Sequence, residues 1–96
     1  MNIGTGIKQI RKAKGMSQGE LAERSELSQP SLSLIESGTK RPSARNIKKI
    51  CKALDVPEAL VYLYTLEDSD IPESKKDAFN FYYPSVKDMI SKIIIK

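Results

Sequence analysis

The chain has 96 residues, of which 40% are hydrophobic, so it can form one modest core and has no room for a separate catalytic domain. It contains no histidine and one cysteine, Cys51, which excludes an intramolecular disulfide, the usual zinc sites and histidine-based catalytic pairs. We therefore expect no enzyme activity, no catalytic residues, no metal and no cofactor.

The net charge of +4 is unevenly distributed along the chain. Residues 1–53 hold eleven Lys or Arg and four Glu, a net charge of +7, while residues 54–96 have a net charge of −3. A positive first half suits a polyanion partner, which would repel the acidic second half.

The first predicted element is an amphipathic helix over residues 3–14. Ile3, Ile7 and Ile10 recur at helical spacing and predict its buried face. Gly15 is expected to end it.

Residues 17–38, SQGELAERSELSQPSLSLIESG, predict two short helices joined by a tight turn. Ser17 and Glu20 form a capping box, in which each side chain accepts a hydrogen bond from a free backbone N–H at the helix start. The first helix is therefore expected to run from about Gln18 to Arg24.

The second helix of this unit has its own start and stop signals. Ser28 is an N-cap, and Pro30 lies in the first turn, where a missing N–H breaks no intrahelical bond. Gly38 supplies a left-handed stop. Helical spacing turns Leu32 and Ile35 inward, and the opposite face is then free to meet a partner. That outer face consists of Gln29, Pro30, Ser33 and Leu34.

This unit, L-A-E-x-S-x-L-S-x-x-x-L-S-x-I-E-x-G, resembles the phage repressor and Cro type (XRE-like) helix-turn-helix family. The similarity extends beyond the motif to Ile7, Ile10, Ile50 and residues 41–43, and covers roughly the first two-thirds of the chain. It implies an all-α protein in which residues 1–66 form a five-helix DNA-binding domain. The second helix of the motif is expected to enter the major groove of double-stranded DNA.

The resemblance also implies one internal contact and shows two departures. Arg11 lies where the family often keeps an arginine that pairs with a helix acid, here Glu36. Glu26 stands where the turn usually carries Gly, and Pro30 stands where a polar residue is common. For this reason no base contact of another family member is transferred to Pro30.

The site residues follow from the resemblance and from side-chain chemistry. Gln29 can read an adenine edge with two hydrogen bonds, and Pro30 and Leu34 can pack on thymine methyls. The base-reading residues are predicted to be Gln29, Pro30, Ser33 and Leu34. The phosphate-binding residues are predicted to be Gln18, Ser31, Lys40 and Arg41.

Two further helices are predicted to close the domain. Residues 44–54 follow an N-cap at Ser43, and Cys51 lies on their apolar stripe as a small buried residue. Pro57 begins a fifth helix that extends to about Thr65.

Residues 67–96 are expected to form an acidic linker and a C-terminal helical extension. Lys75 to Tyr83 predict a short helix and Pro84 the start of another, with a strand over residues 93–95 as the weaker alternative. The last helix carries a large apolar stripe, which we predict to be a dimer interface, the alternative being that it folds back onto its own domain. The stripe consists of Val86, Met89, Ile90, Ile93 and Ile94.

The function predicted from the sequence is a sequence-specific double-stranded DNA-binding transcriptional regulator, a repressor that binds a pseudo-palindromic operator as a homodimer. The alternative is an antitoxin or another protein-binding module of the same fold, which sequesters a partner protein and autoregulates. No apolar run approaches the roughly 18 residues of a membrane span, and the N-terminus lacks a secretion signal, so we expect a cytoplasmic protein with no membrane contact.

Overall fold

A computed structural model describes residues 1–95. That part of the chain is helical and contains no strand, and none of its helices is long and apolar enough to cross a membrane. The fold class predicted from the sequence, a five-helix domain with a C-terminal helical extension, is confirmed. The helices are α1 Ile3–Ala13, α2 Gln18–Arg24, α3 Gln29–Glu36, α4 Ala44–Leu54, α5 Glu58–Tyr64 and α6 Lys76–Ile94, with single 3₁₀ turns at Asp68–Asp70 and Glu73–Lys75.

Serine caps fix where α2, α3 and α4 begin. At the start of α2, Ser17 Oγ accepts from the Glu20 N–H at 3.0 Å, and the Glu20 carboxylate accepts from the Ser17 N–H at 3.2 Å. Ser28 and Ser43 each accept from the backbone N–H three residues later. The predicted capping box and both other predicted caps are therefore present.

The turn between α2 and α3 keeps a left-handed residue although that residue is not glycine. Glu26 has φ 57°, and its N–H donates to the Glu23 carbonyl while the Leu27 N–H donates to the Ala22 carbonyl. This pair of bonds is a Schellman motif. A residue with a Cβ costs about 1–2 kcal/mol in this conformation, so the turn is strained at Glu26.

The core lies where α1 and α3 cross and is closed by the remaining helices. At Gly4 a Cβ would lie 1.9 Å from the Ile35 carbonyl oxygen, so only glycine allows the two backbones to approach this closely. The largest buried apolar side chains come from all six helices: Ile7, Ile10, Leu21, Leu32, Ile35, Ile47, Ile50, Leu54, Val61, Ile90 and Ile94.

α6 is one continuous helix, so the predicted break at Pro84 is wrong. A proline inside a helix removes one hydrogen bond and crowds the preceding turn, at a cost of about 3 kcal/mol. Contacts with α5 on both sides of the proline offset part of this cost. The Tyr83 hydroxyl donates to the Leu63 carbonyl, and the Lys87 ammonium lies 5.0 Å from the centre of the Tyr64 ring.

The apolar stripe predicted for the dimer divides between two faces of α6. Ile90 and Ile94 are 5% and 2% exposed and join the core of the same chain, whereas Met89 and Ile93 are 57% and 63% exposed. Successive helical residues point about 100° apart, so one edge of a broad apolar stripe can be buried while the other stays open. The assignment of Ile90 and Ile94 to a dimer interface therefore needs correction, because the fold-back alternative holds for these two residues.

The acidic segment before α6 is folded against that helix. Asp68 accepts from Asn80 Nδ2 at 2.8 Å and forms an ion pair with Lys76 Nζ at 3.3 Å. The hydrogen bond from Asn80, and then the one from Lys76, hold the pKa of the Asp68 carboxyl below its usual value. These contacts orient the start of α6 relative to the acidic segment.

Candidate nucleic-acid interface

A buried ion pair fixes the position of α3. Arg11 Nε and Nη2 lie 2.8 and 3.0 Å from the two carboxylate oxygens of Glu36, and Arg11 Nη1 donates to the Met16 carbonyl at 2.8 Å. Arg11 and Glu36 are only 7% and 5% exposed. Two parallel charge-assisted bonds also restrict orientation, so this pair fastens α1 to the C-terminal end of α3. The partner implied for Arg11 by the family resemblance is the one observed.

Gln18 is drawn into the same cluster. Its side-chain amide donates to Glu36 Oε1 at 3.2 Å. The sequence prediction offered this amide to a DNA phosphate, but the structure turns it inward. The backbone N–H groups of the first turn of α2 are the donors that helix geometry leaves without intrahelical acceptors. A phosphate contact at Gln18 stays a prediction and would use those N–H groups.

The outer face of α3 is open as the helical spacing predicted. Gln29, Pro30 and Ser33 are exposed, and Leu34, the one large apolar member, is 45% exposed. The Gln29 side chain leans towards α2, since its Oε1 lies 3.6 Å from the point that a Cβ of Gly19 would occupy. The four predicted base-reading residues therefore share one surface next to the start of α2, while their roles stay predictions.

Ser31 lies at the edge of this surface. It is half-buried, and its backbone N–H donates to Ser28 Oγ at 3.2 Å. A phosphate contact at Ser31 stays a prediction.

The segment after α3 is held tightly by its own backbone and hydroxyl groups. The Lys40 N–H donates to the Leu34 carbonyl at 3.0 Å, and the Ser37 hydroxyl donates to the same oxygen at 3.0 Å. The hydroxyls of Ser37 and Thr39 lie 2.8 Å apart. These bonds keep two exposed cations, Lys40 and Arg41, at the C-terminal end of α3.

The sequence of this region is similar to that of known proteins. The family model HTH_3, described as helix-turn-helix, matches residues 7–61. The chain belongs to this helix-turn-helix family. Two uncharacterised HTH-type transcriptional regulators of Mycobacterium tuberculosis, from strains CDC 1551 / Oshkosh and H37Rv, are each 40% identical to it over 60 residues. The alignment covers 62% of this chain and 43% of each relative, so the chain spans less than half their length.

The helix-turn-helix match ends within α5, so α6 lies outside the part shared with the family model. The resemblance deduced from the sequence motif is confirmed for the matched region. The family model therefore gives no information about α6, whose contacts are known from the structure of this chain.

Arg45 is an exposed cation of the helix-turn-helix domain to which the sequence analysis gave no role. Arg45 lies in the first turn of α4, four residues after Arg41, and is exposed. The signal that could have found it was the N-cap at Ser43, because a cap fixes the phase of the helix and so the direction of the next side chains. Arg45 extends the cationic segment formed by Lys40 and Arg41.

Proposed function

We propose that this chain is a sequence-specific double-stranded DNA-binding transcriptional regulator that represses by occupying an operator. The observation that carries the proposal is the geometry of α3, which exposes one face while its other face is held by the core and by the Arg11–Glu36 pair. A helix whose position is fixed in this way can present side chains to the major groove in one register.

Base recognition is assigned to the outer face of α3. The Gln29 amide has the donor and acceptor that match an adenine edge, and Pro30 and Leu34 offer apolar contact to thymine methyls. Ser33 is short and carries both a donor and an acceptor, so it suits a base edge at close approach.

Phosphate contact is assigned to both ends of the motif. Lys40 and Arg41 follow α3, and the first turn of α2 at Gln18 has backbone N–H groups that favour an anion. Ser31, at the edge of the outer face of α3, offers a further hydroxyl donor to a phosphate. The +7 charge of residues 1–53 supports a long-range attraction of this half to a polyanion.

A single recognition helix reads only a few base pairs, so the proposal includes a homodimer on a pseudo-palindromic operator. Two copies of α3 about 34 Å apart would read half-sites one turn of DNA apart. Occupancy of such a site would block transcription without any chemical step.

Selection of bound sequences from randomised duplex DNA tests this function. The full chain should enrich one motif with two related halves, because contacts to base edges discriminate sequences. Ser33→Glu is the matched control, since it places a carboxylate on the proposed groove-facing surface at an exposed position. This variant should fold normally and enrich nothing. Failure of the unmodified chain to enrich a motif would contradict the proposal.

The second candidate function is the protein-binding module, and the exposed apolar side of α6 is the observation that favours it. An antitoxin would form a stable complex with the product of a neighbouring gene when the two are co-expressed. Purification of the chain alone after such co-expression would favour the regulator.

A further inference from the structure

A cleft lies between the start of α1 and the C-terminal end of α3, beside the segment that leads to α4. We name it the α1–α3 cleft. Its volume is about 370 Å³, which lies within the range of small-molecule sites. Its accessible wall includes Asn2, Ile3, Lys40, Arg41, Pro42 and Tyr62.

The charges around the α1–α3 cleft are of one sign. Lys40 and Arg41 are exposed, and within residues 1–95 neither belongs to an ion pair. No acidic side chain of this part of the chain lines the cleft. A smaller cleft of about 170 Å³ is lined by both Lys87 and Glu67, so its charges balance. The α1–α3 cleft is therefore the one of the two that favours an anion.

Backbone hydrogen bonds position two donors at the rim of the cleft. The Lys40 N–H donates to the Leu34 carbonyl at 3.0 Å, which fixes where the lysine side chain leaves the backbone. Asn2 Oδ1 accepts from the Thr5 N–H at 3.1 Å, so the NH₂ group of Asn2 stays available as a donor. The guanidinium of Arg41 is planar and can bind both oxygens of a carboxylate. These groups together suit a carboxylate.

The rest of the accessible wall is apolar. Tyr62 of α5 is 40% exposed, and Ile3 and Pro42 are half-buried. The Tyr62 ring offers a flat surface against which another ring can pack. A ligand that joins a flat apolar body to a carboxylate would therefore match both parts of the cleft.

We propose that the α1–α3 cleft binds a small aromatic carboxylate, with its carboxylate at Lys40 and Arg41 and its ring beside Tyr62. The same two cations are assigned to DNA phosphates in the proposed function. A carboxylate that occupies them removes them from the DNA, so the ligand and the operator weaken each other's binding. The ligand site depends on the cleft alone, whereas its role in releasing the operator rests on the proposed function.

Three probes separate the two parts of the cleft. β-Naphthoate has a ring and a carboxylate, β-naphthamide has the ring without the charge, and acetate has the charge without the ring. In NMR titrations of the full chain, β-naphthoate should bind more tightly than either of the others by roughly tenfold or more, because it alone contacts both parts. The backbone amide signals that shift should include those of Ile3, Lys40 and Tyr62.

A pair of charge-removing substitutions tests the position of the carboxylate. Lys40→Gln combined with Arg41→Gln should weaken β-naphthoate binding by roughly tenfold and leave β-naphthamide binding unchanged, because only the charged probe uses these cations. Lys8→Gln combined with Lys12→Gln is the matched control. It changes two exposed lysines of α1 outside the cleft, with the same loss of net charge, and should leave the binding of both probes unchanged.

Tyr62→Ala tests the coupling to DNA, because Tyr62 has no part in the proposed DNA contacts. Saturating β-naphthoate should weaken the binding of the unmodified chain to a duplex with the selected motif by roughly tenfold or more. The Tyr62→Ala chain should bind this duplex normally and lose most of the response to β-naphthoate. Tyr62→Leu removes the ring and keeps an apolar side chain, so it should behave in the same way with less risk to folding.

Three results would overturn the ligand site: β-naphthoate that binds no more tightly than β-naphthamide, unchanged β-naphthoate binding by the Lys40→Gln and Arg41→Gln chain, or signal shifts confined to the exposed side of α6. The titrations contain no DNA, so they fail independently of the proposed function. A chain that binds β-naphthoate in the cleft but enriches no DNA motif would keep the ligand site and reject operator binding. A chain that enriches a motif but binds no probe would do the reverse. Binding of β-naphthoate and the duplex without mutual weakening would reject the release of the operator.

Discussion

α3 and α6 both bury one side against the same core, but their exposed sides have different chemistry. The open face of α3 is formed by short or polar side chains, with Leu34 as the exception, and the segment after it is cationic. The exposed side of α6, formed by Tyr82, Val86, Met89 and Ile93, is large and apolar. The two helices also differ inside, because α3 ends in a buried ion pair whereas the buried residues of α6 are isoleucines.

This difference indicates which partner each face suits. Hydrogen-bonding groups beside fixed cations match base edges and phosphates, which are polar and negatively charged. An exposed apolar stripe suits an apolar surface of another protein chain, because the gain on binding comes from removing hydrocarbon from water. One small domain can therefore present one surface to DNA and another to a second protein chain.

The largest effect is expected from breaking the buried ion pair that holds α3. Glu36→Ala leaves the Arg11 guanidinium buried without its carboxylate and should lower the free energy of unfolding by about 3–5 kcal/mol. Urea denaturation followed by circular dichroism measures this loss. Glu23→Ala, which changes an exposed glutamate of α2, is the control and should change stability by less than about 0.5 kcal/mol. A loss no larger than that of the control would mean that the ion pair does not hold α3.

Adjacent isoleucines of α6 separate its two faces. Ile94→Ala should lower the free energy of unfolding by about 2–5 kcal/mol, because Ile94 is 2% exposed and its removal leaves a cavity. Ile93→Ala, at a 63% exposed position, should change the free energy of unfolding by less than about 0.5 kcal/mol. Equal destabilisation of the protomer by both variants would contradict the division of the stripe.

Local signals were enough to predict the helix-turn-helix. Ser17, Ser28 and Ser43 are caps that act within three residues, so their effect can be read from sequence alone, and the starts of α2, α3 and α4 follow from them. The exposed face of α3 can also be predicted from sequence. Leu32 and Ile35 point inward, and in so short a helix these two residues fix its rotation about its axis.

Tertiary contacts decided what the sequence did not predict. Pro84 favours a helix start locally, but α6 continues through it because tertiary contacts hold both halves of the helix. Tyr83 bonds to α5 before the proline, and Ile90 and Ile94 are buried in the core after it. The periodicity of α6 predicts an apolar stripe but gives no direction to the core, so Ile90 and Ile93 looked equivalent. The position of Gln18 at the start of α2 predicted that its amide faces a phosphate. The bond that turns this amide inward, to Glu36, joins residues 18 apart in the chain, so no local signal indicates it.

Gln29→Ala tests whether the open face of α3 reads bases. Loss of the amide should weaken binding to the preferred site by about 1–3 kcal/mol and relax the choice at one base pair of each half-site. Binding isotherms on the preferred duplex and on single-base variants measure both effects. Gln9→Ala, an exposed glutamine on α1, is the control and should leave binding unchanged. Uniform weakening on all duplexes would make Gln29 a backbone contact.

Replacing both Lys40 and Arg41 by Ala tests the cationic segment. All duplexes should bind more weakly by similar factors, and the slope of log K against log salt should fall by roughly one for each phosphate that the protein no longer neutralises. Lys52→Ala, at the far end of α4, provides a lysine change outside this segment. An unchanged slope in the double variant would show that the segment does not lie on the DNA backbone.

The smallest expected effect concerns the turn that sets α3 relative to α2. Glu26→Gly removes the Cβ from a residue at φ 57° and should raise the free energy of unfolding by up to about 1 kcal/mol, because relief of strain exceeds the extra entropy of glycine in the unfolded chain. Glu26→Ala keeps the Cβ and should give no gain, and Asp55→Gly, also at φ 57°, should gain less because Asp tolerates this conformation better. Urea denaturation of the three variants measures the differences.

Glu26→Gly should select the same base preference from randomised DNA as the unmodified chain, since the turn keeps its conformation. An altered preference would mean that the Glu26 side chain itself positions the face that meets DNA.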